Sequence, residues 1–278
     1  QQPLFAENKD WLIDGSPYKT EVNLSSDKKQ IELTNGLLRR SFSLTPNGAT
    51  IALDNLMTGQ NELRAVRPEA VLVINGKEYL VGGLEGQPVH NFLTKDFLSG
   101  MQLCDSAFVL AGYTVSETKE RFPWKPNEAW ISNRYPWPVP GKRITFTYRA
   151  PRKIVDECKG LTIRIVYELY DGAPILSKWI EIENNGQKAV TLDSFKSEVL
   201  ALVETAPKVH YGEPHEVRMM AQKTGYYTED YRKRPVQTDA PRDYIDRFTQ
   251  LFVVTDYAMG GDMEAMKDNP AVRWVFDH

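Results

Sequence analysis

Between Leu161 and Tyr170, Leu161, Ile163, Ile165, Tyr167 and Leu169 alternate with Thr162, Arg164, Val166, Glu168 and Tyr170. That is the period of a strand with one wetter face. Asp171-Gly172 then offers the pair that tolerates positive φ in a tight hairpin turn, and Leu176, Ile180 and Ile182 resume the alternation on a return arm. Asn185-Gly186 repeats the device ahead of Val190, Leu192 and Phe195. The pattern predicts a three-stranded antiparallel meander over 161–195. Its apolar face needs a second sheet or a layer of helices to cover it.

The same alternation predicts strands over 20–24, 31–34, 37–44, 49–53, 69–74 and 77–81, joined through Asn35-Gly36, Asn47-Gly48 and Asn75-Gly76. Further strands are expected over 108–114, 144–149, 198–203, 209–211 and 248–255. Residues 82–105 break the rhythm, with a short helix or an irregular crossing over 91–98, and 262–267 would make one or two helical turns capped by Asp262. Two long excursions, 120–141 and 225–247, are polar, rich in aromatics and without period, and read as functional loops. No stretch alternates strands with long helices, so the expected fold class is all-β with antiparallel sheets, long loops and few short helices. Residues 1–17 read as an extended lead-in in which Trp11, Leu12 and Ile13 dock on the body. Residues 18–278 read as one β domain. The apolar ending Trp274-Val275-Phe276 sets the expectation that this domain belongs to a longer polypeptide.

Composition narrows the function more than the fold. A formal charge of −3, from 34 basic and 37 acidic residues, supplies no field for nucleic acid or anionic lipid. The densest basic runs, Arg39-Arg40 and Arg232-Lys233-Arg234, read as solvated faces. No apolar run is long enough to predict a membrane span. The two cysteines, Cys104 and Cys158, lack zinc-site spacing and leave one bridge or two thiols open.

Three strings carry a family resemblance. They are NGLLRRSFSLTPNGATIALDNLMTGQNELRAVRPEAVLVINGKEYLVGGLEGQP over 35–88, WPVPGKRITFTY over 137–148, and YELYDGAPILSKWIEIENNG over 167–186. Together they resemble the N-terminal domain of α-galactosidase-type glycoside hydrolases (family 36). The resemblance implies a β-supersandwich related to galactose mutarotase-like domains, placed before a catalytic (β/α)8 barrel of the same polypeptide. It also implies a secreted or periplasmic enzyme whose two catalytic aspartates lie on the barrel. None of this chain's residues inherits a catalytic role, and no cofactor or metal is expected.

Among chemistries readable from the residues, the aromatic loops carry the clearest signal. A pyranose offers a C–H face to indole or phenol rings while its hydroxyls exchange hydrogen bonds with Arg, Asn and carboxylates. The candidate contacts, to carbohydrate or to a neighbouring domain, are Trp124, Trp130, Arg134, Tyr135 and Trp137 in the first loop and Tyr227 and Tyr231 in the second. Trp179, inside the meander, is expected to pack between layers or against a neighbour. A mutarotase-type epimerase would call on His90, His210 or His215 with Glu213 or Glu216 as general acid and base. Hydrolysis would need a close carboxyl pair, for which Glu181 and Glu183 share a strand face but read as solubility residues. The expected function is a non-catalytic domain of a glycoside hydrolase that braces the barrel and contributes to glycan binding. The alternatives are an independent carbohydrate-binding module and an aldose epimerase.

Overall fold

The structure, a computed structural model, describes residues 10–88, 92–125, 136–151 and 158–202, with 207–209 and 217–219 as backbone. The chain divides into two compact units, Gln1–Ala201 and Leu202–His278. The first is all-β, apart from one short helix among its described residues.

Strands β1 (Glu21–Leu24), β2 (Gln30–Thr34), β3 (Leu38–Ser43), β4 (Ala49–Asn55) and β5 (Gln60–Asn61) form one sheet in chain order. They are followed by β6 (Leu63–Ala65), then by β7 (Ala70–Ile74) and β8 (Lys77–Val81), which pair as a hairpin. Helix α1 (Lys95–Gly100) follows, its Thr94 side chain accepting the Phe97 amide at 3.2 Å, the usual way to satisfy a first-turn donor. Strands β9 (Val109–Glu117), β10 (Gly141–Arg149), β11 (Leu161–Tyr170) and β12 (Leu176–Asn184) build a four-stranded sheet in the order β12-β11-β10-β9. Strand β13 (Leu192–Lys196) lies against β7, and β14 (Ala201–Leu202) ends the unit in sequence. In the second unit the described backbone is an antiparallel pair, β15 (Pro207–Val209) and β16 (Val217–Met219).

Neighbouring strands of the three larger sheets run antiparallel. Their apolar faces meet in one core: Ile31 and Leu33 from β2, Phe42 from β3, Leu72 and Ile74 from β7, Ile144, Phe146 and Tyr148 from β10, and Leu161 to Leu169 at every second position of β11. The cover that the β11–β12 arms need therefore comes from other sheets. Each large apolar side chain buried this way contributes about 1.5–3 kcal/mol, set against the entropy of ordering the chain. A smaller cluster of Ala49, Ile51, Val66, Leu84 and Met101 seats α1 through Leu98.

Asn75 and Gly76 take φ of 50° and 75°, as the two-residue turn expected between β7 and β8 requires. The expected third meander strand does exist, but it does not pair with β12. The Asn75 turn captures it instead: the Asn75 amide donates to Thr191 O at 2.9 Å, Asn75 Oδ1 accepts the Thr191 amide at 2.8 Å, and Asp193 accepts the Gly76 amide at 2.7 Å. Asn185-Gly186 thus opens a crossing to another sheet rather than a hairpin turn.

The lead-in docks differently from expectation as well, since Leu12 and Ile13 are exposed. Its attachment runs through close backbone contacts and the Asp171 carboxylate. A Cβ on Gly15 would lie 2.5 Å from Gly172 O, while Tyr18 O accepts the Gly172 amide at 2.8 Å and Asp171 accepts the Thr20 amide at 2.8 Å. Only a residue without a side chain lets the strand enter here. Both cysteines are free, with Cys158 buried in the main core. Among the described residues, no helix is long and apolar enough to cross a membrane.

Candidate functional site

Two groups of polar and aromatic side chains flank the four-stranded sheet, one on each face. Because residues alternate faces along a strand, the apolar positions of β11 that enter the core leave Thr162, Arg164, Val166, Glu168 and Tyr170 on the outer side. Register then sets the outer rows: Arg143 of β10, Glu168 of β11 and Ser177 of β12 stand abreast, and Thr145, Val166 and Trp179 form the next row.

Glu168 is nearly sealed from solvent and fully engaged. Arg143 donates to its Oε1 from Nε at 2.8 Å and from Nη2 at 2.6 Å, and the Tyr170 hydroxyl donates to its Oε2 at 3.0 Å. Burial, with Glu168 beside it, raises the Tyr170 phenol above its ordinary range, although Ser177 and Arg121 work the other way. It stays a donor. The Ser177 hydroxyl lies 3.0 Å from Tyr170 Oη, and Arg121 Nη2 donates to the same oxygen at 3.3 Å. Arg121 and Arg143 both lie against the Trp179 indole, with guanidinium carbons 4.8 and 5.1 Å from the ring centroid, within the range of a cation–π contact. The Trp179 Nε1–H donates to Glu181 at 3.1 Å. Trp179 therefore packs outside the sheet, in contact with two arginines, rather than between layers.

The aromatic loop runs directly into this group. Phe122 and Trp137 have ring centroids 5.2 Å apart, Trp124 and Trp137 5.3 Å apart, and Trp137 Nε1 donates to Phe122 O at 3.2 Å. Thr118 Oγ1 donates to Val139 O at 2.6 Å and pins the loop's two ends together. The platform thus runs from Trp124 and Trp137 through Phe122 to Arg121, Trp179 and Arg143. Phe122 is 50% exposed, which leaves ring area on the surface beside Trp137. Of the residues expected at the site, Trp124 and Trp137 are brought together; Trp130, Arg134, Tyr135, Tyr227 and Tyr231 lie outside the described residues. So do His90, His210, His215, Glu213 and Glu216. Sequence reasoning missed Arg143, Glu168, Tyr170 and Ser177, although the strict alternation of β11 already put Glu168 and Tyr170 on one outer face.

The inner face carries a buried ion network. Arg40 donates to Glu198 from Nη1 at 2.6 Å and from Nη2 at 3.1 Å, to Thr50 Oγ1 from Nε at 3.0 Å, and to Tyr167 Oη at 3.1 Å. Lys178 donates to Glu198 Oε1 at 2.7 Å and to Glu69 O at 2.6 Å, and the Tyr167 hydroxyl donates to the Glu69 carboxylate. Side-chain exposure is 2% for Arg40, 1% for Glu69, 6% for Lys178 and 27% for Glu198. Arg40 is thus not the solvated residue that the Arg39-Arg40 run suggested. Only Arg39 faces out, paired with Asp54 at 2.8 Å.

Two cations and two anions balance in this network, as burial of charge requires. Burial pushes the Glu198 carboxyl up, but Arg40 and Lys178 outweigh it and hold the group down at about 2. Burial lowers the Lys178 ammonium despite both glutamates, whereas Glu198 and Tyr167 hold the Arg40 guanidinium above its usual range against its own burial. A retaining glycosidase needs two carboxyl groups about 5 Å apart around an accessible bond. Glu69 is closed to solvent, so the network serves to tie sheets together. Glu181 and Glu183 are engaged by Trp179 and Arg164, respectively, on the exposed edge strand.

The depressed Glu198 carboxyl has a sign that can be measured. Its stabilising contribution is complete above the ordinary value of 4.5 and is lost as pH falls through about 2. Urea midpoints of the wild type should therefore drop across that window more steeply than those of Glu198→Gln. Parallel acid limbs would show that Glu198 is not held as described.

Compared with known protein families, curated proteins and solved structures, the chain matches none of the three. Among the described residues no group of three His, Cys, Asp or Glu is placed to hold a metal ion.

Proposed function

We propose that this chain is the non-catalytic N-terminal β-supersandwich, of galactose mutarotase-like type, of a larger secreted or periplasmic α-galactosidase-like glycoside hydrolase. Its outer platform holds carbohydrate beside the catalytic barrel of the same polypeptide. The observation that carries this reading is the aromatic group Trp124–Trp137–Phe122, joined through the chain at Phe122 to Arg121, which with Arg143 lies against Trp179 of the outer sheet face. The two indoles, tilted 54° to each other, offer apolar ring area to the C–H face of a sugar, and the arginine, tyrosine and serine groups alongside match its hydroxyls. Two of the strings that resemble family 36 domains supply this face: 137–148 brings Trp137 and Arg143, and 167–186 brings Glu168, Tyr170, Ser177 and Trp179. Three antiparallel sheets around one core support the supersandwich assignment.

Calorimetry against galactosides and plant polysaccharides tests the reading. The wild type should bind at least one of them, and Trp137→Ala should weaken that binding by about tenfold or more, as expected for a central aromatic anchor. No heat with any ligand at millimolar concentration would remove the carbohydrate role.

A further inference from the structure

Arg121 differs from two neighbouring arginines of the outer face. Arg143 is matched by Glu168 and Arg164 by Glu183. Among the described residues Arg121 meets no carboxylate: its contacts are the Tyr170 hydroxyl at 3.3 Å and the Trp179 ring at 4.8 Å. A guanidinium carries five N–H donors in a rigid fork. Here one donor is used, and at long range. The indole and the phenol hold the group in place without neutralising it, which is how a cation is prepared for an anion from outside. The surrounding run Lys119-Glu120-Arg121-Phe122-Pro123-Trp124-Lys125 has three basic residues against one acidic, all four exposed.

Resting on the carbohydrate reading above, we infer that the platform selects glycans that carry a carboxylate, meaning oligosaccharides containing uronic acid. The acid group sits on the Arg121 fork and the pyranose ring lies against the neighbouring aromatic side chains. A neutral sugar would leave the guanidinium charge unanswered, whereas a uronate supplies two oxygens in the planar geometry that an arginine fork fits.

The experiment is calorimetry on the full chain with three probes: trigalacturonic acid, its methyl ester and triglutamate peptide. The acid should bind about tenfold more tightly than the ester, which has the same rings without the charge. The advantage should shrink as salt is raised. Arg121→Ala should weaken the acid far more than the ester, bringing the two affinities to within about twofold of each other, and Arg121→Lys should restore part of the difference. Arg121→Gln serves the same purpose as the alanine variant if the latter fails to fold. Equal affinity for acid and ester, or an advantage that survives the loss of Arg121, overturns the inference and leaves the carbohydrate reading intact. Binding of neither saccharide overturns the inference, and the galactoside and polysaccharide panel above then decides the carbohydrate reading. Triglutamate binding as tightly as trigalacturonate would show a face that reads charge alone, as for an acidic peptide, and would also overturn the inference.

Discussion

Arg40→Met is expected to lower the free energy of unfolding by about 3–5 kcal/mol, the cost of leaving buried charge without its partner. The substitution removes the bidentate pair to Glu198, the bonds to Thr50 and Tyr167, and the ring contact 4.5 Å from Tyr167. Lys178 alone then faces two carboxylates. Arg39→Met, one residue away but 40% exposed and paired with Asp54, should cost less than about 1 kcal/mol, as surface pairs do. Urea denaturation of the two variants, at constant slope, provides the comparison. The logic extends to Lys178→Met and Glu198→Gln. Each alone unbalances the network, whereas the double variant removes one charge of each sign and should cost clearly less than the sum of the singles. An Arg40 variant within about 1 kcal/mol of wild type would mean that the network does not hold the sheets together.

Phe146→Ala should cost a similar amount, about 3–5 kcal/mol, for a different reason. Phe146 is 1% exposed and sits on the inner face of β10, with ring centroids 4.9 Å from Phe42, 6.1 Å from Tyr167 and 6.3 Å from Tyr113. Alanine there removes an aromatic ring that touches neighbours from two sheets, and paired strands on either side of β10 limit how far the cavity can collapse. Phe146→Leu keeps most of the volume and should cost less than about 2 kcal/mol. Thermal unfolding of both variants settles the matter: equal losses would point to a core that relaxes freely around the site.

Most strands were legible because their alternation is strict and their turns are spelled out. β7, Asn75-Gly76 and β8 could be read residue by residue, since only a few residue types accept positive φ at both turn positions. The partner of β13 was not legible. Alternation defines a strand's faces but not its neighbour, and the link that captures β13 is made by Asn75 and Asp193, distant in sequence and ordinary in type. Arg40 shows a subtler failure. Two adjacent strand residues point to opposite faces, so Arg39-Arg40 could not both be solvated on a sheet with one buried face. The partners that make burial tolerable, Glu69, Lys178 and Glu198, come from three distant segments. On the outer face, the loop tryptophans announced themselves through proline-rich, aperiodic surroundings. Glu168 and Tyr170 were hidden by their ordinary look as the polar half of an alternating strand.

The outer platform as a carbohydrate-holding surface is the central claim, and indole NMR tests it at the level of single rings. With the Nε1–H signals of Trp124, Trp137 and Trp179 assigned by substitution, a uronate-containing or neutral galacto-oligosaccharide is titrated into the labelled chain. Saturable shifts in the Trp124 and Trp137 indoles, with a common dissociation constant matching calorimetry, are the predicted result. Binding seen by calorimetry while these indoles stay still, or no binding at all, would contradict it.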